Sequence, residues 1–219
     1  MKHQPVLFIA LLLIALTTVF TQCPKNDNYP SRPQHAFKQL VDIRPYNLNY
    51  SVGDTVWIHI AVPGKLLFDT LINRPVFYDS ANFSTDVRVQ LLFNDPFIAN
   101  NSRLVSFIYT QGVSSYESVN QSVTDAQISF GCNQSTNYDL LVGIVFQQTG
   151  VFGIYLSSSV QKCFINDYST YNTIVFYFNV ADTHFDYYSQ LPFADINQQP
   201  DVNMLTALRI KSLVCVNVQ

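Results

Sequence analysis

The chain of 219 residues has one glutamate, Glu117, one tryptophan, Trp57, and two methionines. Only 12% of its residues are charged, and the net charge is −3 with no basic patch. Affinity for nucleic acid comes mainly from neutralising phosphates, so no nucleic-acid partner is expected. Good helix formers are scarce, and no long segment carries a helical period, so an all-helical fold is excluded. Beyond the N-terminus no apolar stretch is long enough to span a bilayer. The sequence has no Gly-x-Ser-x-Gly elbow, no His-Glu-x-x-His, no Cys-x-x-Cys and no phosphate-cradling glycine loop. Without these, the common hydrolase, redox and nucleotide-binding chemistries have no foothold, and no cofactor is implied.

What remains is apolar and aromatic. Hydrophobic residues make up 48% of the chain, with 17 Phe and 13 Tyr, enough for a substantial core. Residues 1–22 read as a secretory signal: Lys2 and His3, an apolar run from Val6 to about Ala15, then small and polar residues. Residues 23–35, with Pro24, Pro30 and Pro33, read as a polar tether. Residues 36–219 form the folded domain. Cys23 follows the apolar run where a lipoprotein carries its acylated cysteine, although Phe20, Thr21 and Gln22 make a poor lipobox; ordinary cleavage nearby is the alternative. Four cysteines allow three pairings. Cys132 and Cys163 flank a plausible hairpin and form the favoured pair. Cys215 is left to pair with Cys23 or to act as a small buried hydrophobe.

Alternation fixes the fold class. Val56, Ile58, Ile60 and Val62 share one face of a strand, and Trp57, His59 and Ala61 the other. Val87, Val89, Leu91 and Phe93 repeat the pattern. Leu104–Tyr109, Ala126–Phe130, Leu140–Phe146, Val151–Leu156, Ile174–Val180 and Ile210–Val218 read as further strands, with a short helix near Asn203–Leu208. Many short strands between turns predict an all-β antiparallel Ig-like β-sandwich. Its core should include Val56, Ile58, Ile60, Val89, Leu91, Val142, Ile144, Phe176 and Phe178.

Two stretches carry a resemblance. Tyr50-Ser51-Val52-Gly53-Asp54-Thr55 leads into an alternating strand, and Gly150-x-x-Gly153-x-Tyr155 forms a later one. With the signal and Cys23-Pro24, they resemble secreted or lipid-anchored cell-envelope proteins of unknown function from the Bacteroidetes. That resemblance implies an Ig-like sandwich, a place outside the cytoplasm or in the bacterial envelope, and partners among envelope proteins or glycans. Any membrane contact would run through an N-terminal lipid. Asp54-Thr55-Val56, Asp69-Thr70-Leu71 and Asp79-Ser80-Ala81 fit the O-glycosylation motif of such proteins. The competing reading is N-glycosylation at Asn49, Asn82, Asn100, Asn120 and Asn133, each of which begins an Asn-x-Ser sequon.

Three functional readings follow. The favoured one is a non-enzymatic envelope protein with a structural or surface-interaction role. The second is a glycan-binding module using exposed aromatics, for which Trp57 and His59 are the ligand-binding candidates. The third is a metal-dependent hydrolase. If Asp182 to Asp186 is strand, then Asp182, His184 and Asp186 lie on one face with the spacing of a small metal site. A solvated strand end is the plainer reading of that triplet. His35 and His59 read as isolated.

Overall fold

The computed structural model describes residues 34–93, 103–111, 114–120, 123–163, 172–189 and 202–219. The predicted signal, Cys23 and residues 23–33 of the predicted tether lie outside them. In chain order the described strands are β1 (Ala36–Arg44), β2 (Asn49–Tyr50), β3 (Thr55–Val62), β4 (Leu66–Asp69), β5 (Arg74–Phe77), β6 (Ala81–Phe93) and β7 (Val105–Gln111). Then come β8 (Ser114–Asn120), β9 (Val123–Phe130), β10 (Tyr138–Phe146), β11 (Gly150–Lys162) and β12 (Asn172–Phe178). Two short helices follow, α1 (Phe185–Ser189) and α2 (Val202–Arg209), before β13 (Leu213–Val218). No helix among the described residues is long and apolar enough to cross a membrane.

The strands make a two-layered sandwich. The larger sheet runs β8-β9-β6-β11, and the far edge of β11 is shared by β13 and β12. It continues through β12 to β1, β4 and β5. The smaller sheet is β1-β3-β10-β7. Strand β1 belongs to both: Ala36 to Val41 pair with β12, and Asp42 to Arg44 pair with β3. Aromatic rings cross between the layers, with Phe83 edge-on to Tyr138 at 5.1 Å and Phe146 against Phe152 at 5.7 Å.

Alternation becomes burial. Val56, Ile58, Ile60 and Val62 are all fully inaccessible, and the nine expected core residues are all buried. Each such side chain contributes roughly 1.5–3 kcal/mol relative to exposure. Gly53 at φ +92° and Asp54, whose carboxylate accepts the Ser51 N–H at 2.7 Å, form the turn before β3. Two pairings depart from the antiparallel expectation. β1 runs parallel to β12, and β2 runs parallel to β13. Both parallel pairs bring together strands far apart in sequence, so neither is constrained by a tight hairpin turn.

β11 and β13 are buried on both faces where the helices cover them. Tyr188 of α1 and Leu208 of α2 pack with Val151, Leu213 and Cys215 in a second apolar cluster. Cys215 is a free buried thiol whose pKa burial pushes up to about 12, so it is a core residue in chemical behaviour. Cys132 and Cys163 are bridged, with Cα atoms 5.6 Å apart. The bridge joins the ends of the two strands that flank β6, beside its first residues. Gly131 there has φ +112°, and a side chain on it would collide with the Ala81 carbonyl.

Candidate functional site

Trp57 and His59 lie on the outer face of the smaller sheet, since Val56, Ile58 and Ile60 point into the core. Gly143 of β10 stands opposite Trp57 on one side and Arg44 of β1 on the other. A Cβ on Gly143 would lie 3.0 Å and 3.1 Å from two carbons of the indole's six-membered ring, so the ring rests on the glycine. His59 is not isolated: its Nε2 is 2.9 Å from the Asp139 carboxylate. Directly opposite His59 on β1, Asp42 accepts the Asn179 amide at 3.0 Å and lies 3.6 Å from Arg44.

The Asp182–Asp186 stretch is not a strand, which corrects the expected shared face. Asp182 accepts the backbone N–H of His184 at 2.9 Å, His184 turns the chain at φ +60°, and α1 starts at Phe185. The short Asp side chain satisfies a nearby backbone N–H more readily than it projects from a ladder. His184 stacks on Tyr46, with ring centroids 4.7 Å apart. Its Nδ1 lies 2.7 Å from the Cys215 carbonyl and 3.0 Å from the Tyr46 hydroxyl. Asp186 is exposed in the first turn of α1. Among the described residues no group of three or more His, Cys, Asp or Glu stands close enough to hold a metal ion.

His35, the last residue of the predicted tether, is anchored. Its Nδ1 is 2.6 Å from Asp69, a carboxylate only 1% exposed. Burial pushes the Asp69 pKa up, but hydrogen bonds from His35, Leu71 and Ala36 together outweigh it and hold the carboxyl below its ordinary value. Asn172 accepts the His35 N–H at 3.1 Å and donates to the Tyr78 hydroxyl at 2.8 Å. His35, Tyr78 and Asn172 line a half-open pocket of about 290 Å³ together with Val76, Phe77 and Asp79. Next to it Lys65 bonds Asp79 at 2.7 Å, and Tyr138 donates to the Tyr78 carbonyl at 2.7 Å. The network ties β1, β4, β5 and β12 together at one end of the sandwich.

A different surface lies on the outer face of the larger sheet, and the sequence reading did not find it. The register sets Phe77 opposite Leu66, Phe68 opposite Lys38, Lys38 opposite Val175 and Leu40 opposite Tyr177. These residues share one face across four neighbouring strands. Phe77, Leu40, Leu66 and Val175 are 63%, 59%, 52% and 43% exposed. A groove of about 570 Å³ runs between β4 and β1, where β1 leaves for the other sheet, lined by Lys38, Gln39, Leu40, Leu66, Phe68 and Tyr177. The Lys38 ammonium sits 4.4 Å from the centre of the Phe68 ring. The sequence offered no local signal for it, since an apolar residue such as Leu40 on the outward face of a strand looks like a core residue.

No protein-family model and no curated protein matches the chain. Among solved structures, the second type II cohesin module from the adaptor ScaA scaffoldin of Acetivibrio cellulolyticus is 9% identical. The alignment covers 63% of this chain and 86% of that one, with a TM-score of 0.34. A non-cellulosomal cohesin from Archaeoglobus fulgidus is also 9% identical, over 68% of this chain and 97% of that one, with a TM-score of 0.31. Likeness at this level carries nothing about function, which rests on this chain's own geometry.

Proposed function

We propose that the protein is an exported, non-enzymatic component of the cell envelope that binds another protein on the outer face of its larger sheet. The observation that carries this is the gathering of Leu40, Leu66, Phe77 and Val175, each well exposed, onto one face of four adjacent strands, with Leu40 and Leu66 lining the groove. A contiguous exposed apolar face is costly in water and marks an interaction surface more often than scattered single residues do. Lys38, lying over Phe68, gives the face its polar edge. Export is supported by the N-terminal pattern and by the disulfide, which persists in an oxidising compartment. The non-enzymatic reading is supported by how the described histidines are used: His35 and His59 hold carboxylates, and His184 holds a backbone carbonyl.

Site-specific photo-crosslinking in the native envelope tests this. A photoreactive phenylalanine at position 77 should yield one defined protein adduct. The same group at Tyr116, exposed on β8 at the far end of the sheet, should not. The position-77 adduct should vanish in a Leu40→Asp, Leu66→Asp double variant. Equal labelling at both positions, or no protein adduct at position 77, overturns the reading.

A further inference from the structure

We propose a second, independent binding site: the outer face of the smaller sheet binds a pyranose glycan, with one sugar ring stacked on Trp57. The argument begins with Gly143. Glycine in a strand interior is unfavourable relative to Ala and offers no side chain to pack. It needs a compensating role. Here it vacates the position directly opposite Trp57, and the indole lies down in that space. A Cβ at 143 would press on the ring and on the Thr55 methyl, so the indole would have to shift by a few tenths of an ångström. The geometry therefore holds the indole close against the strands on the outer face, where it stays partly accessible.

The surroundings differ from those of the apolar groove. Arg44 stands beside the indole, its side chain 80% exposed and only loosely tied to Asp42. Asp42 keeps an acceptor oxygen near the surface, held by Asn179. The His59–Asp139 pair lies in the next rows and is about as exposed as it is covered. A flat π-surface bordered by charged donors and acceptors matches a sugar ring, whose C–H face stacks on an aromatic while its hydroxyls reach the rim. A protein partner would be served better by a larger apolar centre than one indole and Ile108 with the partly covered Leu141 and Val145. The surface is a sheet face without enclosing walls, so it suits an internal unit of a glycan chain rather than an isolated terminal sugar.

Trp57 is the chain's only tryptophan, so its fluorescence reports on this site alone. The probes are cellohexaose, chitohexaose and laminarihexaose at millimolar concentration, titrated into the folded, disulfide-bonded protein. At least one should give a saturable change in emission. Calorimetry with the same oligosaccharide should show binding lost in Trp57→Ala, and weakened about tenfold in Arg44→Ala by loss of a charge-assisted hydrogen bond. Gly143→Ala keeps the tryptophan but displaces its ring. Its emission should shift before any ligand is added, and its affinity should fall, with the far-ultraviolet sheet spectrum unchanged. Leu66→Asp, on the other sheet, should leave glycan binding intact, so failure here is distinguishable from failure of the protein-binding face. No saturable change with any of the three oligosaccharides overturns the proposal, as does binding that survives in a folded Trp57→Ala protein.

Discussion

Removing the Cys132–Cys163 bridge with Cys132→Ser and Cys163→Ala should cost about 3–4 kcal/mol of stability. The two residues are 31 apart in sequence, and closing a loop of that length in the unfolded chain gives this value in the chain-entropy model. The native state should change little, because the neighbourhood is held by other contacts. The Cys163 N–H donates to the Ser80 carbonyl at 2.6 Å, and the Tyr138 hydroxyl accepts the Ala81 N–H at 2.8 Å. Alanine suits position 163, which is buried, because serine there would add a hydroxyl needing a partner. Urea denaturation of both proteins, read by sheet circular dichroism, measures the difference. The wild type treated with a reductant should unfold at the midpoint of the double variant. If the variant matches the oxidised wild type to within about 0.5 kcal/mol, the unfolded chain already holds these ends together and the entropic account fails.

Other perturbations act on single contacts. The hydroxyls of Thr85 and Thr124 are buried without a hydrogen-bond partner in the described structure, so Thr124→Val should stabilise by about 1 kcal/mol. A calorimetric Tm raised by about 2–4 °C is the expected reading, and a lowered Tm would show that the hydroxyl is satisfied. Asp69→Asn should destabilise the fold at neutral pH by about 1–3 kcal/mol through its buried hydrogen bonds. The folded Asp69 carboxyl titrates below its ordinary value of 3.8, so its contribution is complete above that value and is lost as pH falls through the folded pKa. Stability of Asp69→Asn should therefore fall less on acidification than that of the wild type, and parallel curves would refute the assignment. Ile58→Asp puts an unpaired carboxylate at a fully buried position and should leave no folded product, as judged by protease resistance.

The parts of the fold that the sequence reveals are those where one strand stays in one environment. β3 and β6 keep a strict alternation of buried and accessible residues, and their core positions are readable directly. β1 alternates too but is harder to read, because its residue types cut across the pattern: polar Gln39 sits half-buried among Phe37, Val41 and Ile43, and apolar Leu40 lies on the outward face. β8 reads as a polar stretch because it is an edge strand, and Tyr116 and Val119 are exposed. The Asp182–Asp186 triplet shows the opposite error. Alternating polar residues look the same in a ladder and in a turn where one carboxylate caps the next backbone N–H. At the sites, the candidate residues were legible but their partners were not. His35 finds Asp69 across 34 residues and His59 finds Asp139 across 80, distances over which local pattern carries no information. Gly143 looks like an ordinary strand glycine until the register places it opposite Trp57.

The sheet crossing of β1 also dictates an order of assembly. Ala36 to Val41 wait for partners between Thr173 and Phe178, so the first strand of the domain cannot complete its pairing until nearly all of the chain has been made. A polypeptide emerging N-terminus first can close the β3–β10 and β6–β9 pairs earlier, but the seam joining its two layers stays open. Any product ending before residue 172 keeps that seam exposed, with one edge of β1 unpaired and the buried residues Phe37 and Val41 left without the strand that covers them. Such fragments should be recognised and degraded as unfinished, and protection should be complete only once β13 has also filled the edge of β11.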